Sequence, residues 1–318
     1  MTMEPYPFIR EIRSPISKQM LAPLDHRCRV VQFHSPLSDA DLKLLSEFMR
    51  AYPNTTLRVY GHETTEHLDF LKSFPFIKNF QVDVWTIKNL SGLLYLPSTL
   101  GYLGLGETKS KTHSLKVLDR FQHLKELFLE GHTKDFESIG SLTSLERLTL
   151  RSITLADLSS LKPLKQLWWL GIKLGSTRNL SLLPEIGRLK YLELWMIRGL
   201  SDIQVISRLE SLQYLFLQTL KHVRALPSFR QLGHLRRVHL EAMSGLTDLS
   251  PLREAAALEE LLVVDASHMK PSDFACLSGY PTLKRATIGL GSDRKNHAVR
   301  DYLPLPPIKT LKDGFDFR

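Results

Sequence analysis

The stretch LKYLELWMIRGLSDIQVISRLESLQYLFL, residues 189–217, contains the pattern that decides the fold. It begins with LKYLEL (189–194) and ends with LQYLFL (212–217), and in both hexamers leucine occupies the first, fourth and sixth positions. The two hexamers start 23 residues apart. A fixed period of this size is typical of repeat architectures, in which each unit buries its apolar face only against its neighbours.

The same arrangement recurs along most of the chain. Clear copies begin at Leu124, Leu145, Leu167, Leu189, Leu212, Leu235 and Leu258, and weaker ones at Asn54, Ile77, Leu100 and Leu283. Successive copies start 21 to 25 residues apart, which gives about eleven units. The 60 leucines among 318 residues agree with a leucine-based core shared by all of these units.

The second halves of several units sharpen the pattern. ITLADLSSLKPL from Ile153 and LTDLSPL from Leu246 resemble the short bacterial, internalin-like variant of the leucine-rich repeat family. The resemblance implies an α/β solenoid, a horseshoe with a parallel sheet on its concave side, 3₁₀ or irregular backbone on its convex side, and helical caps. This family places an asparagine at the ninth repeat position, where its amide bonds the backbone of the turn. That asparagine is missing here, so the backbone groups of the turn must find other hydrogen-bond partners. The residues found there are His132, Ile153, Gly175, Ile197, Leu220, Met243 and Ala266.

The two ends of the repeat region have a different character, which suggests three parts. Residues 1–53 form an N-terminal segment with a capping helix, residues 54–290 carry the repeats, and residues 291–318 form a C-terminal cap and tail. The first cap is an amphipathic helix over residues 39–52, with Ser38 or Asp39 as N-cap and Pro53 after its end. A second short helix is expected over residues 292–303, with Ser292 as its N-cap.

Composition excludes several classes of protein. No stretch of 18 apolar residues is present and the first 20 residues have no apolar core, so neither a membrane span nor a secretory signal is predicted. With only Cys28 and Cys276, a disulfide framework is excluded, and a cytoplasmic location is expected. The net charge of +9 suggests an acidic partner or mild affinity for nucleic acid.

No segment has the residues of a catalytic, metal or cofactor site. GYLGLGE (101–107) has the glycines of a phosphate loop, but Glu107 stands where lysine is needed. The histidines of HETTEH (62–67) are five residues apart, whereas a helical zinc site needs four. Cys276 has no histidine fixed beside it as a base and is interpreted as a buried, inert thiol. Cys28 follows His26 and Arg27, basic neighbours that favour a reactive thiolate, but its place before the cap favours a structural or exposed residue. We therefore expect no enzyme activity, no metal, no cofactor and no small-molecule substrate.

The informative surface is the concave one, because side chains alternate between the two faces of a strand. With the leucines inward, positions 3, 5 and 7 of each unit face outward. On three adjacent units these positions place Trp169, Tyr191, Trp195, Tyr214 and Phe216 together, the group called the aromatic patch below. Phe128 is expected to extend it. A large exposed aromatic surface is unfavourable unless something covers it. The cover is either a partner or, alternatively, the aromatic rings themselves and the protein's own tail.

Charged residues surround the aromatic patch in the same columns. Glu193 lies among the rings, while Arg237, His239 and Glu241 are expected to form a polar rim. Glu126 is expected to pair with Arg147 on the neighbouring strand. An aromatic centre with a polar rim is typical of protein interfaces. The sequence therefore predicts a non-enzymatic module that binds a partner protein through its concave face, for example as an inhibitor or immunity-type protein. The alternative is a nucleic-acid-binding protein that uses the aromatic patch and the basic C-terminal cap.

Overall fold

The computed structural model describes residues 8–309 and 314–318, and the chain divides into two compact units between Leu148 and Thr149. The strands of each unit follow one another in chain order. The first unit contains β1 (Ile9–Glu11), β2 (Val30–Phe33), β3 (Thr56–Gly61), β4 (Asn79–Val84), β5 (Tyr102–Leu105) and β6 (Glu126–Glu130). Adjacent strands in this unit pair in parallel. The sequence does not predict β1 and β2, which lie within the segment expected to contain only a cap.

The boundary between the units falls within β7 (Arg147–Arg151). The second unit continues with β8 (Trp169–Lys173), β9 (Tyr191–Trp195), β10 (Tyr214–Gln218), β11 (Arg237–Glu241), β12 (Glu260–Val264) and β13 (Arg285–Ile288). From β8 to β13 each strand pairs in parallel with the next. The register is the one that the repeat alignment predicts, since Tyr191 lies between Trp169 and Tyr214.

Helices occur where the sequence predicts caps and a convex side. The α-helix α1 (Asp39–Met49) begins at Ser38, whose side chain accepts a hydrogen bond from the Asp41 backbone. The helix α2 (Asp293–Val299) begins at Ser292 and is shorter than expected. The return segments contain 3₁₀ helices at Asp69–Ser73, Ser91–Tyr95, Leu115–Arg120, Phe136–Ser141, Ser159–Leu161, Leu183–Glu185, Gln204–Arg208, Ser250–Glu254 and Pro271–Leu277.

The leucines of the repeat form the core in both units. In the repeat that begins at Leu189, which belongs to the second unit, the leucines at positions 1, 4 and 6 are all buried. The same holds for the repeat that begins at Leu124, in the first unit. This leaves the opposite face of each strand for side chains at positions 3, 5 and 7, and we call it the outer face of the sheet.

The turn after each strand depends on backbone conformation rather than on an asparagine. In the second unit the residue before the ninth position adopts a left-handed conformation although it is not glycine. These residues are Ser152, Leu174, Met196, Thr219, Ala242 and Asp265. The N–H of Leu174 bonds to the Trp195 carbonyl at 2.8 Å, and that of Met196 to the Gln218 carbonyl at 2.8 Å, so the ladder continues past the strand. At one ninth position a histidine takes over the asparagine's role, because His132 Nε2 lies 2.9 Å from the Gly106 carbonyl oxygen.

Candidate functional site

The aromatic patch lies on the outer face of β8, β9 and β10. The rings of Trp169 and Tyr191 stack with their centroids 3.8 Å apart, and Tyr214 meets Tyr191 edge-on at 5.1 Å. Phe216 stacks flat on His239 of the next strand at 4.0 Å. Parallel pairing at equivalent positions brings these side chains together, so the predicted grouping is confirmed for these four rings.

Residues 314–318, with the sequence GFDFR and called the FDF segment below, lie across the aromatic patch. Phe317 packs against Trp169 and Tyr191, with centroid distances of 5.7 and 6.1 Å. Phe315 packs against Tyr214 at 5.2 Å, and the two phenylalanines meet each other at 4.8 Å. Trp168, which precedes β8, closes the side of the cluster at 5.3 Å from Phe317. The segment therefore covers the patch with two rings that alternate with charged residues.

Hydrogen bonds between neighbouring side chains and its own main chain hold the FDF segment in place. The side-chain amide of Gln213 both accepts from the Arg318 N–H at 2.9 Å and donates to the Arg318 carbonyl oxygen. Arg236 donates to the Asp316 carbonyl oxygen at 2.8 Å. Hydrogen bonds to backbone groups are available to any peptide, whereas the ring contacts depend on side-chain type. The segment is thus held both by contacts that are independent of its side chains and by contacts that depend on them.

Most members of the aromatic patch are buried rather than exposed to solvent. Trp169 is 7% exposed, Tyr191 0% and Tyr214 1%. The alternative interpretation from sequence, that the rings pack on each other under the protein's own tail, describes the structure. Trp195 differs, because it stays half-buried at the end of β9 with the Lys173 ammonium 5.8 Å from its ring centroid. Phe128 is half-buried on β6 of the first unit, so its predicted part in the patch stays a prediction.

One acidic and one basic side chain are buried with the rings. Glu193 accepts a hydrogen bond from the Tyr191 hydroxyl at 2.9 Å and pairs with Lys173 at 2.9 Å. Arg237 is 1% exposed and does not lie at a rim as expected. It pairs with Glu260 at 2.5 Å, and its guanidinium lies 5.1 Å from the Tyr214 ring and 4.8 Å from that of Phe315. Cation–π contacts gain strength when they are desolvated, so Arg237 helps to hold the segment on the patch.

Burial also changes the titration of groups at this site. Removal from water raises the pKa of Tyr214 to about 12, although the nearby Arg237 opposes this shift. Burial likewise raises the pKa of Glu241, which accepts a hydrogen bond from Gln218 at 2.6 Å. His239 lies 3.3 Å from the same carboxylate, and the predicted part of these two residues in a polar rim stays a prediction.

Comparison with solved structures identifies the fold. An internalin from Listeria monocytogenes superposes with a TM-score of 0.52 at 16% identity, over 80% of this chain and 78% of that one. A leucine-rich repeat protein of Leptospira interrogans gives the same TM-score and identity over 95% of this chain and 93% of that one. The chain has the leucine-rich repeat fold. No protein-family model matches the sequence, and comparison with curated proteins gives no match.

The structure also places other residues that the sequence singles out. Cys28 is buried, and burial raises the pKa of the Cys276 thiol. Within the described residues no group of three or more His, Cys, Asp or Glu side chains is arranged to hold a metal ion. None of the helices among residues 8–309 and 314–318 has both the length and the apolar character to cross a bilayer. The predicted pair of Glu126 and Arg147 is present at 3.7 Å.

Sequence reasoning missed the residues that hold the FDF segment. Gln213 and Arg236 occupy the second position of their repeat units, just before the strand and outside the columns at positions 3, 5 and 7. The segment itself carries a signal, because Phe315 and Phe317 alternate with charged residues as in a strand with one apolar face.

Proposed function

We propose that this leucine-rich repeat chain is a non-enzymatic protein-binding module. Its binding site is the aromatic patch with Gln213 and Arg236, and its ligand is an extended segment of a partner protein with two aromatic residues separated by one other. The observation that carries the proposal is the FDF segment, which occupies this site through both ring contacts and main-chain hydrogen bonds. A surface that accepts one such peptide has the shape and donors to accept another.

Inhibition of a partner, as in an immunity-type protein, would use the same surface, and a cytoplasmic location agrees with the two unpaired thiols. Nucleic acid is a weaker candidate for the patch. Stacked bases would need the ring faces of Trp169 and Tyr191, and those two rings already stack on each other.

The test uses the full chain with Phe315→Ala and Phe317→Ala, which uncovers the site without shortening the protein. A labelled peptide of sequence GFDFR is titrated against this variant and against the natural chain. A segment tethered to its own site competes at an effective concentration of about 1 mM, so the variant should bind the peptide at least about tenfold more tightly. Fluorescence anisotropy of the label gives both affinities.

Two further substitutions in the uncovered variant locate the binding. Trp169→Ala should abolish it, because that ring forms one wall of the Phe317 pocket. Trp85→Ala removes a partly exposed tryptophan of the first unit and should leave the affinity unchanged. Peptide binding that the Trp169 substitution does not weaken, or no binding to the uncovered variant, would refute the proposal.

A further inference from the structure

A basic groove lies next to the FDF segment, beside the amino ends of β9 to β13. Its volume is about 740 Å³, and Arg188, Lys190, Arg236 and Lys284 line it. Arg318 of the FDF segment also lines it and pairs with Asp316 at 3.6 Å. The described lining residues include one carboxylate side chain, that of Glu259. The groove therefore carries a clear excess of positive charge.

Glu259 offsets only part of this charge. It accepts hydrogen bonds from Lys284 at 2.9 Å and from Arg236 at 3.4 Å. These contacts, the Lys284 bond first, lower the pKa of Glu259, so it stays ionised. Among the described residues, Arg188 and Lys190 form no ion pair of their own. A water-filled groove with uncompensated cations on its walls attracts an anionic ligand.

The cations are spread along the groove rather than gathered at one point. Lys190 precedes β9, Arg236 precedes β11 and Lys284 precedes β13. Parallel strands lie about 4.8 Å apart, so the distance from the first to the last is roughly 19 Å. That is the length of about six residues of extended chain at about 3.3 Å each. The spacing favours an extended anionic chain over a single phosphate.

The FDF segment leads directly into the groove. Arg318 follows Phe317 and lines the groove, while Gln213 and Arg236 hold the segment and also line the groove. The segment runs from Arg236, before β11, towards Trp169 on β8. In a peptide bound in the same way, the residues after the second aromatic side chain would therefore continue towards Arg188 and Lys190, at the β9 end of the groove.

We infer that the β9 end of the basic groove, lined by Arg188 and Lys190, binds acidic residues that follow the aromatic pair in the partner protein. This inference rests on the proposed function, because the aromatic pair sets the direction of the bound chain. A peptide fits better than single-stranded nucleic acid. Its lining includes Ala256, Ala257 and Pro281, and no Phe, Tyr or Trp is among the described lining residues to stack with bases.

The experiment compares two peptides on the full chain with Phe315→Ala and Phe317→Ala. Both begin with GFDF, and one continues with six glutamates and the other with six glutamines. The acidic peptide should bind at least about tenfold more tightly at low salt, and its advantage should shrink as ionic strength rises, since mobile ions screen exposed charges. Isothermal titration calorimetry measures each affinity.

A matched pair of charge reversals tests where the acidic residues lie. Arg188→Glu with Lys190→Glu should remove the advantage of the acidic peptide and leave the glutamine peptide unchanged. Lys221→Glu with Arg224→Glu changes the net charge equally at exposed positions outside the groove, and should preserve most of the advantage. A retained circular dichroism spectrum shows that each variant is folded.

The outcomes separate this inference from the proposed function. Equal affinity for the two peptides would refute the groove inference and leave the proposed function standing. Failure of both peptides to bind would refute the proposed function and the inference with it. A single-stranded oligonucleotide of equal charge that binds more tightly than the acidic peptide would also overturn the inference, in favour of nucleic acid.

Discussion

The outer face of the sheet is built differently in the two units. On β3 to β5 of the first unit it is polar, and its side chains satisfy one another. Arg58 pairs with Asp83 at 2.6 Å, Gln81 donates to the same carboxylate at 2.7 Å, and the Tyr102 hydroxyl donates to Gln81 at 2.9 Å. On β8 to β10 of the second unit the same columns carry aromatic rings that the FDF segment covers.

This difference shows what a repeat surface needs in order to stay open. A polar network meets its own hydrogen-bond requirements and tolerates water. A row of aromatic rings is stabilised when another apolar group covers it, because the ring faces are then removed from water. The covered face is therefore the one suited to exchange its cover for a partner, and the open face is the one suited to stand alone.

The largest expected effect comes from removing equivalent tyrosines in the two units. Tyr191→Ala deletes a fully buried ring of the covered face and should lower the free energy of unfolding by about 4 kcal/mol. Tyr102→Ala deletes a half-buried ring at the same repeat position of the open face and should lower it by about 1–2 kcal/mol. Urea denaturation of both variants measures the difference. Equal losses would contradict the distinction between the two faces.

A smaller effect concerns the ionisation of tyrosine. Because its pKa is raised to about 12, Tyr214 keeps its proton between pH 10 and 12 while the unfolded chain loses it, so stability falls as the pH rises through this range. Phe315→Ala with Phe317→Ala lets water reach Tyr214 and should lower its pKa toward the ordinary value of about 10. Ultraviolet absorbance titration follows phenolate formation.

Tyr102 serves as the control in the same titration. Burial raises its pKa as well, but it belongs to the open face of the first unit. The pKa of Tyr102 should not change in the variant with Phe315→Ala and Phe317→Ala. Comparison with a Tyr102→Phe variant isolates the absorbance change that comes from Tyr102. A shift of both tyrosines would mean that the FDF segment acts on the whole protein rather than on its own site.

The smallest effect comes from the left-handed residues after the strands. The second unit places Ala242 in this conformation with a φ of 51°, whereas the first unit has Gly131 there with a φ of 74°. A left-handed conformation costs an L-residue about 1–2 kcal/mol, part of which the greater chain entropy of glycine offsets. Ala242→Gly should therefore raise the stability by about 0.5 kcal/mol and Gly131→Ala should lower it by about 1 kcal/mol. Thermal unfolding compares them, and destabilisation by Ala242→Gly would contradict the reasoning.

The sequence predicts the repeat part of the molecule well, because a constant period fixes both strand and register. Counting positions is enough to place Tyr191 between Trp169 and Tyr214. It is not enough to predict their burial, since the cover comes from Phe315 and Phe317, which lie outside the repeat and follow no register rule. The strands β1 and β2 escaped prediction for a similar reason, because IRE and VVQF lack the leucine spacing of the other units.

Arg237 shows the same limit at a single residue. Its neighbour across the ladder, Glu260, follows from the register, so an ion pair could be predicted. Its burial could not, because the aromatic ring that completes its surroundings belongs to Phe315, 78 residues further along the chain.

The hydrogen bonds between Gln213 and Arg318 join residues that are 105 positions apart. In a simple solenoid each repeat contacts only its neighbours, so repeats can fray one by one from an end. In the second unit this bond ties β10 to a segment that follows α2, and the three strands β11 to β13 lie between them in the chain. Those repeats cannot unfold one by one from the end while the segment stays bound. Release of the FDF segment would therefore also decide whether they unfold together or one at a time.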